Sequence, residues 1–307
     1  MRNRMDLLVM AGGATVFAAA TAAMLQRWEP FATWYYSFAW WTYIVFADAW
    51  NHRRTERSVL LRNPEAPQML ALSITIWATF EAYNFRLGNW YYIEIPSDQV
   101  LRWIGYSVAY ATVLPGILVT AEILSTVGAG RAGSGLALPR RLATYLFWGG
   151  LVGSVLPWIW PRYFFPLVWL GPTAFFMAVN FRSGGIEGRG LLTDISQRGL
   201  GKLYRLAASG MICGLLWECW NYWARSKWIY DIPFFGGSPL FEMPLAGFLG
   251  FPPFAVACHE MHETARTLLN RMRPYPVARF VVWLVLAVAV GWVYRGIDAF
   301  TVRSFQP

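Results

Sequence analysis

Glu81-Ala82-Tyr83-Asn84-Phe85 returns as Glu218-Cys219-Trp220-Asn221-Tyr222, and Glu94-Ile95-Pro96 returns at the same spacing as Asp231-Ile232-Pro233. The segments 81–96 and 218–233 align without a gap. In both, a Glu-x-x-Asn pair stands near the end of an apolar run and a turn follows. The same offset lays Pro115 on Pro252, and a slightly shorter one lays Trp40 on Trp169, Asn51 on Asn180 and Arg53 on Arg182. Recurrence of hydropathy order, polar pair, turn and helix proline within one chain is the signature of a duplicated membrane unit.

Working outward, apolar runs bounded by charge, Pro and Gly predict helices at 6–26, 31–50, 68–87, 100–125, 142–160, 163–181, 203–224, 240–268 and 277–295. The expected fold is all-α, a polytopic membrane protein of nine spans: one four-helix repeat over 1–130, a second over 131–272, and a ninth helix with an external tail over 273–307. Four spans per unit make the repeats parallel, related by an axis along the membrane normal. Composition agrees. The 307 residues are 56% hydrophobic and 18% aromatic but only 14% charged, against about 25% charged in soluble domains.

The net charge of +9 reads as topology rather than nucleic-acid binding, because the basic residues sit in short loops between apolar runs. With the N-terminus inside, all but eight of the 26 Lys and Arg fall on the cytoplasmic side, so the N-terminus is expected inside and the C-terminus outside an inner, cytoplasmic membrane. The outer clusters Trp90-Tyr91-Tyr92 and Trp228-Ile229-Tyr230 read as rings at the bilayer interface. Cys213, Cys219 and Cys258 lie in apolar segments without a C-x-x-C pair and read as packing residues.

Ionisable groups inside spans are costly and mark candidate sites. Glu81 with Asn84, and Glu218 with Asn221, each share a helix face. A carboxyl buried among aromatic rings is disfavoured as an anion and suits the role of acid or proton carrier, so these four residues are the catalytic candidates. The alternative is that they pin helices by bonding backbone.

The eighth segment contains Pro252-Pro253, which predicts a broken helix, and ends in Cys258-His259-Glu260-Met261-His262-Glu263. His259, His262 and Glu263 at spacings of three and four can face one point, a candidate site for a divalent metal that Asp48 and Glu122 could complete. Helix-end polarity and proton transfer compete with that reading. Asp48 is otherwise expected to pair with Arg53 or Arg54.

The stretch Gly214-Leu215-Leu216-Trp217-Glu218-Cys219-Trp220-Asn221-Tyr222-Trp223, with Phe241 to Leu245 and Gly250 to Phe254, resembles a group of bacterial multi-pass membrane proteins, which implies membrane residence and no particular activity. The aromatic segment Trp228 to Pro233 before a Pro- and acid-bearing helix start is similar to small membrane lycopene cyclase domains. That family has Pro-x-Glu-Glu or Pro-x-Glu-Asp where this chain has Pro239-Leu240-Phe241-Glu242, so no active-site residue carries over.

The residues alone suit an intramembrane enzyme acting on a lipid or isoprenoid-type apolar substrate by acid/base chemistry, because protonating a polyene needs a buried neutral acid and aromatic faces stabilise the resulting cation. A proton-coupled small-molecule transporter would use the same buried carboxyls, and a non-catalytic membrane subunit would use them for packing. The expected partners are the lipid bilayer and an apolar lipid substrate, with no nucleic acid.

Overall fold

The computed structural model describes residues 2–183, 190–234 and 239–304. The protein is all-α apart from short strand pairs. In chain order the elements are α1 (Arg2–Leu25), α2 (Phe31–Thr55), α3 (Ala66–Leu87), β1 (Trp90–Ile93), α4 (Gln99–Tyr110), α5 (Val113–Thr126), α6 (Arg140–Ile159), α7 (Pro161–Phe164), α8 (Leu167–Arg182), α9 (Leu191–Arg198) and α10 (Gly201–Trp223). There follow β2 (Lys227–Tyr230), β3 (Pro239–Leu240), β4 (Met243–Pro244), a 3₁₀ helix (Leu245–Gly250), α11 (Phe251–Arg271) and α12 (Pro276–Phe300).

Of the nine expected spans, four are long and apolar enough to cross a membrane among the described residues: Arg4–Leu25, Gln99–Thr126, Arg141–Ile159 and Pro276–Phe300. The other five expectations fail that test for two reasons. Helix α8 has only 16 residues. Helices α2, α3, α10 and α11 carry polar side chains that are buried against protein: Asp48, Asn51 and His52 on α2, Ser73, Glu81 and Asn84 on α3, Glu218 and Asn221 on α10, and His259, Glu260 and His262 on α11. Such helices form an interior, and their polar groups need partners within it. Three of the apolar helices lie at the periphery, α1 against α2, α6 against α8 and α12 against α3, whereas α5 is buried among α2, α3 and α10.

The two ends of the bundle differ. At one end the loop after α2 is held by Asp48, whose carboxylate accepts from the Ser58 hydroxyl at 2.6 Å and the amides of Val59, Leu60 and Leu61 at 2.6, 3.2 and 2.8 Å. Asp48 therefore caps a loop instead of pairing with Arg53 or Arg54. Asp6 joins the same end through His52 Nδ1 at 2.8 Å and Arg62 at 2.6 Å. At the opposite end β1 and β2 form an antiparallel ribbon with Trp90 opposite Tyr230, Tyr91 opposite Ile229 and Tyr92 opposite Trp228. The chain's far terminus adds itself there, the Tyr92 amide donating to Thr301 O at 2.8 Å and the Arg303 amide to Tyr92 O at 2.9 Å. The two described termini thus sit at opposite ends.

This ribbon corrects the expectation of interfacial rings. Trp90, Tyr92 and Trp228 are buried, because a strand places alternate side chains on one face and here that face meets the bundle. Residues Gln99–Thr126 are also interrupted: α4 ends at Tyr110 and α5 begins at Val113, with Pro115 in its first turn. In the second half α11 begins at Phe251 with Pro252 and Pro253 in its first turn. The expected break lies before the prolines, since a first helical turn has no intrahelical use for their missing N–H groups. Gly210 and Gly214 on α10 let α11 approach closely, as a Cβ on Gly214 would fall 2.3 Å from the Phe251 ring and one on Gly210 2.4 Å from Phe251 O.

Candidate functional site in the aromatic centre

Glu81 and Glu218 are each fully buried, and the helices deliver them to the ribbon in the same way. One turn on from Glu81, Asn84 donates from Nδ2 to Trp90 O at 2.7 Å and accepts the Trp90 amide at 3.2 Å. Asn221 does the same to Trp228, at 2.9 and 3.0 Å. Each Asn thereby satisfies the amide and carbonyl of a strand Trp within the ribbon. These contacts also refine the alignment of the two segments: Trp90 corresponds to Trp228 and Tyr92 to Tyr230, one residue further on than the ungapped spacing expects. Asn84 and Asn221 are thereby clasps between helix end and strand.

The carboxyls differ in their surroundings. Glu81 Oε1 accepts from the Trp77 indole at 2.9 Å, the Trp90 indole at 3.2 Å, the Tyr92 hydroxyl at 2.5 Å and the Tyr110 hydroxyl at 3.4 Å. Glu218 Oε1 accepts from the Tyr230 hydroxyl at 2.7 Å. In both carboxyls Oε2 has no hydrogen-bond partner among the described residues, and neither does the Trp228 indole nitrogen. Burial above all, and then the nearby Glu218 charge, push the Tyr230 phenol well above its ordinary range. Its proton therefore stays on the phenol and points at the carboxyl.

Beside Tyr230 lies a cavity of about 390 Å³ whose wall is mostly aromatic, including Trp77, Trp169, Trp217, Trp228 and Phe254. Leu170 and Leu249 line it while 50% and 72% exposed, so its mouth opens between α8 and the 3₁₀ helix. A second cavity of about 80 Å³ lies on the other side of the ribbon, between α2 and α4, and shares Trp77, Tyr92, Trp217 and Trp228 with the first. Tyr106 and Tyr110 line the smaller one; the residues 137 positions later, Met243 and Gly247, line the larger.

The histidine segment lies away from this centre. His259 Nδ1 faces Glu260 Oε1 at 2.9 Å, and Glu260 also accepts from the Leu191 amide at 3.0 Å and the Asn180 amide at 2.8 Å. His262 Nδ1 is 3.5 Å from Glu263, whose other oxygen accepts from Arg266 at 3.1 Å. Among the described residues no three His, Cys, Asp or Glu gather where they could hold a metal ion. His259, His262 and Glu263 are not gathered into the expected metal-binding group: His259 turns to Glu260 and Glu263 to Arg266, while His262 Nδ1 has no hydrogen-bond partner among the described residues. Glu122 is drawn toward Arg57 at 3.8 Å, and Asp48 is spent on its loop.

Compared with protein-family models, with curated proteins and with solved structures, the chain matches none. The arguments for function therefore come from the site itself.

Sequence reasoning missed the tyrosines that give both carboxyls their donors. Their signal was present in the recurring Trp-x-Tyr of Trp90-Tyr91-Tyr92 and Trp228-Ile229-Tyr230. It also missed Asp298, on which Arg102 (2.7 and 2.8 Å), Trp103 (2.9 Å) and Tyr106 (3.0 Å) converge.

Proposed function

We propose that the protein is a membrane-embedded enzyme that takes an apolar lipid or isoprenoid-type molecule into the larger aromatic cavity and transfers protons to and from it through Glu218, held by Tyr230. In this reading the five polar-bearing or short helices cross the bilayer together with the four apolar segments, of which α1, α6 and α12 lie outermost, the N-terminal end faces the cytoplasm, and two tandem units arose by duplication. The matching Asn clasps and the ribbon, in which Tyr91 stands opposite its own counterpart Ile229, support the duplication.

One observation carries the functional reading: the wall of an apolar cavity whose mouth lies between exposed leucines includes Tyr230, the sole hydrogen-bond donor to the buried Glu218 among the described residues, whereas the Glu81 carboxyl behind Trp77, Trp90 and Tyr92 of the same wall is held by four donors. A protonated Glu218, which lies behind the wall, passes its proton through the Tyr230 hydroxyl that lines the cavity to an electron-rich carbon of the substrate. The cation formed faces the Trp217 and Trp228 rings, Tyr230 stabilises the carboxylate left behind, and return of a proton from an adjacent carbon to Glu218 completes the cycle. Apolar lining matches an apolar ligand.

Lipids co-purifying with the wild-type protein and with Glu218→Gln, and the lipid content of a deletion strain, test this. The wild type is expected to carry an apolar molecule, and the deletion strain to accumulate a precursor that wild-type protein removes and Glu218→Gln does not. An unchanged lipid profile in the deletion strain overturns the reading.

A further inference from the structure

A third hollow lies on the outer surface of the bundle, a groove of about 620 Å³ between α1, α2 and α4. Its floor and sides are almost wholly apolar, from Pro30, Trp34 and Leu101 near the ribbon end to Val45 and Gly12 farther in. Its lips Leu101, Ile104 and Val16 are 53%, 53% and 49% exposed. Along α2 the groove extends from Trp34 to Val45, about 16 Å at 1.5 Å per residue, close to half of a ~30 Å hydrocarbon core. A groove of that length starting at the ribbon end has the reach of one lipid chain in one leaflet.

The groove does not end blindly. Trp34, Ser37 and Gly105 line both it and the smaller cavity, which in turn shares Trp77, Tyr92, Trp217 and Trp228 with the larger one. What separates groove from cavity is the Trp34 ring. It lies so close over Gly105 that a Cβ there would be 2.1 Å from Trp34 Cζ3. Trp34 is also the residue at which α2 departs from helical geometry, with φ −103° and ψ 15°. A bulky partly buried ring on a helix irregularity, seated on a residue without a side chain, can swing by a local backbone change.

We propose that this groove binds one hydrocarbon chain of a membrane lipid from the ribbon-side leaflet, and that Trp34 is the gate through which such a chain passes from bilayer to the aromatic interior. The proposal deepens the functional reading and rests on its placement of the bundle in a membrane, but it does not require Glu218 to be catalytic.

The test uses full-length protein in phosphatidylcholine nanodiscs containing phosphatidylcholine with a photoactivatable diazirine midway along one acyl chain, with adducts mapped by mass spectrometry. Adducts at Ile104, Val108 and Val45 are expected several-fold above those at Val285 and Val288, which are 60% and 65% exposed on α12. Ile104→Trp, or Leu101→Trp if the first variant is not monodisperse, fills the groove from an exposed lip. It is expected to cut groove adducts several-fold with α12 unchanged. Trp34→Ala is expected to bring new adducts onto Tyr106 and Tyr110.

Equal labelling of groove and α12, or no response to the lip variant, overturns the binding site. Groove labelling without interior adducts in Trp34→Ala overturns the gate. Glu218→Gln is expected to leave every adduct yield as in the wild type. Loss of the catalytic reading would therefore show in substrate turnover alone, and loss of this one in the adduct map alone.

Discussion

The two sides of the ribbon share a Glu-x-x-Asn pair and differ in what fills them. In the first half Tyr106 and Tyr110 occupy the space between α2 and α4, leaving about 80 Å³, and Glu81 is ringed by four donors. In the second half Met243 and Gly247 leave about 390 Å³ and Glu218 has Tyr230 alone. Filling a cavity with hydrogen-bonding rings turns a reactive group into a structural one. Removing those rings opens room for a ligand and leaves the carboxyl underused. The same Glu-x-x-Asn motif thus serves as a pillar on one side and a candidate acid on the other.

The largest effect is expected from making the second half resemble the first. Gly247→Tyr adds a ring to the wall of the larger cavity, and the three atoms nearest its Cβ all belong to the flexible Met243 side chain, Sδ at 2.3 Å. Ligand retention, read by native mass spectrometry, is expected to be abolished while the protein remains monodisperse. Retention at the wild-type level would break the comparison.

Next comes the cost of losing each carboxyl. Glu81→Leu leaves two indole and two phenol donors without their acceptor and is expected to cost about 3–4 kcal/mol, whereas Glu218→Leu leaves one and is expected to cost about 1 kcal/mol. Unfolding in mixed micelles compares them, and equal losses would mean that the two sites are alike. Asn84→Ala and Asn221→Ala sharpen the contrast from the other direction. Each removes two bonds to a strand backbone, and each is expected to cost about 2 kcal/mol, equal between the halves although the carboxyls are not.

The smallest effect lies at the opposite end of the molecule. Glu65 bonds Arg273 at 2.9 Å and Arg266 at 3.4 Å. Burial alone would raise this carboxyl, but those guanidiniums hold it below its ordinary value of 4.5. A depressed carboxyl contributes stability that is present above pH 4.5 and lost as pH falls below it through the folded-state value. Glu65→Gln is therefore expected to be slightly less stable than wild type at pH 7 and to converge with it on acidification. A gap that widens toward low pH would contradict the ion pairs.

Much of this architecture could be read from the residues. Helix positions follow from long apolar runs, so α1, α3, α6, α10 and α12 lie within a few residues of expectation, and Glu81 and Glu218 stand out because a carboxyl is conspicuous in such runs. The ribbon could not be read the same way. Four residues rich in Trp and Tyr fit an interfacial ring as well as a strand, and only a partner 137 residues away decides between them.

The one-residue shift between Trp90 and Trp228 was hidden because the flanking Glu-x-x-Asn and Ile-Pro matches agree on a different spacing. The histidine spacing was legible as a helix face. What it could not reveal was that Glu260, Asn180 and the Leu191 amide form a closed set on α8, α9 and α11, leaving His259 a neighbour of a satisfied network. Asp298 escaped notice for a simpler reason: its partners Arg102, Trp103 and Tyr106 are nearly two hundred positions earlier.

The ribbon also sets an order of events on the ribosome. Strand 90–93 has no partner until residues 227–230 have been made, and Tyr92 gains its last neighbours only with Thr301 and Arg303. Glu81 must therefore wait, while some two-thirds of the chain is still to be translated, with its shell incomplete. Closure of that end is a late step, taken when the earlier helices have already been made.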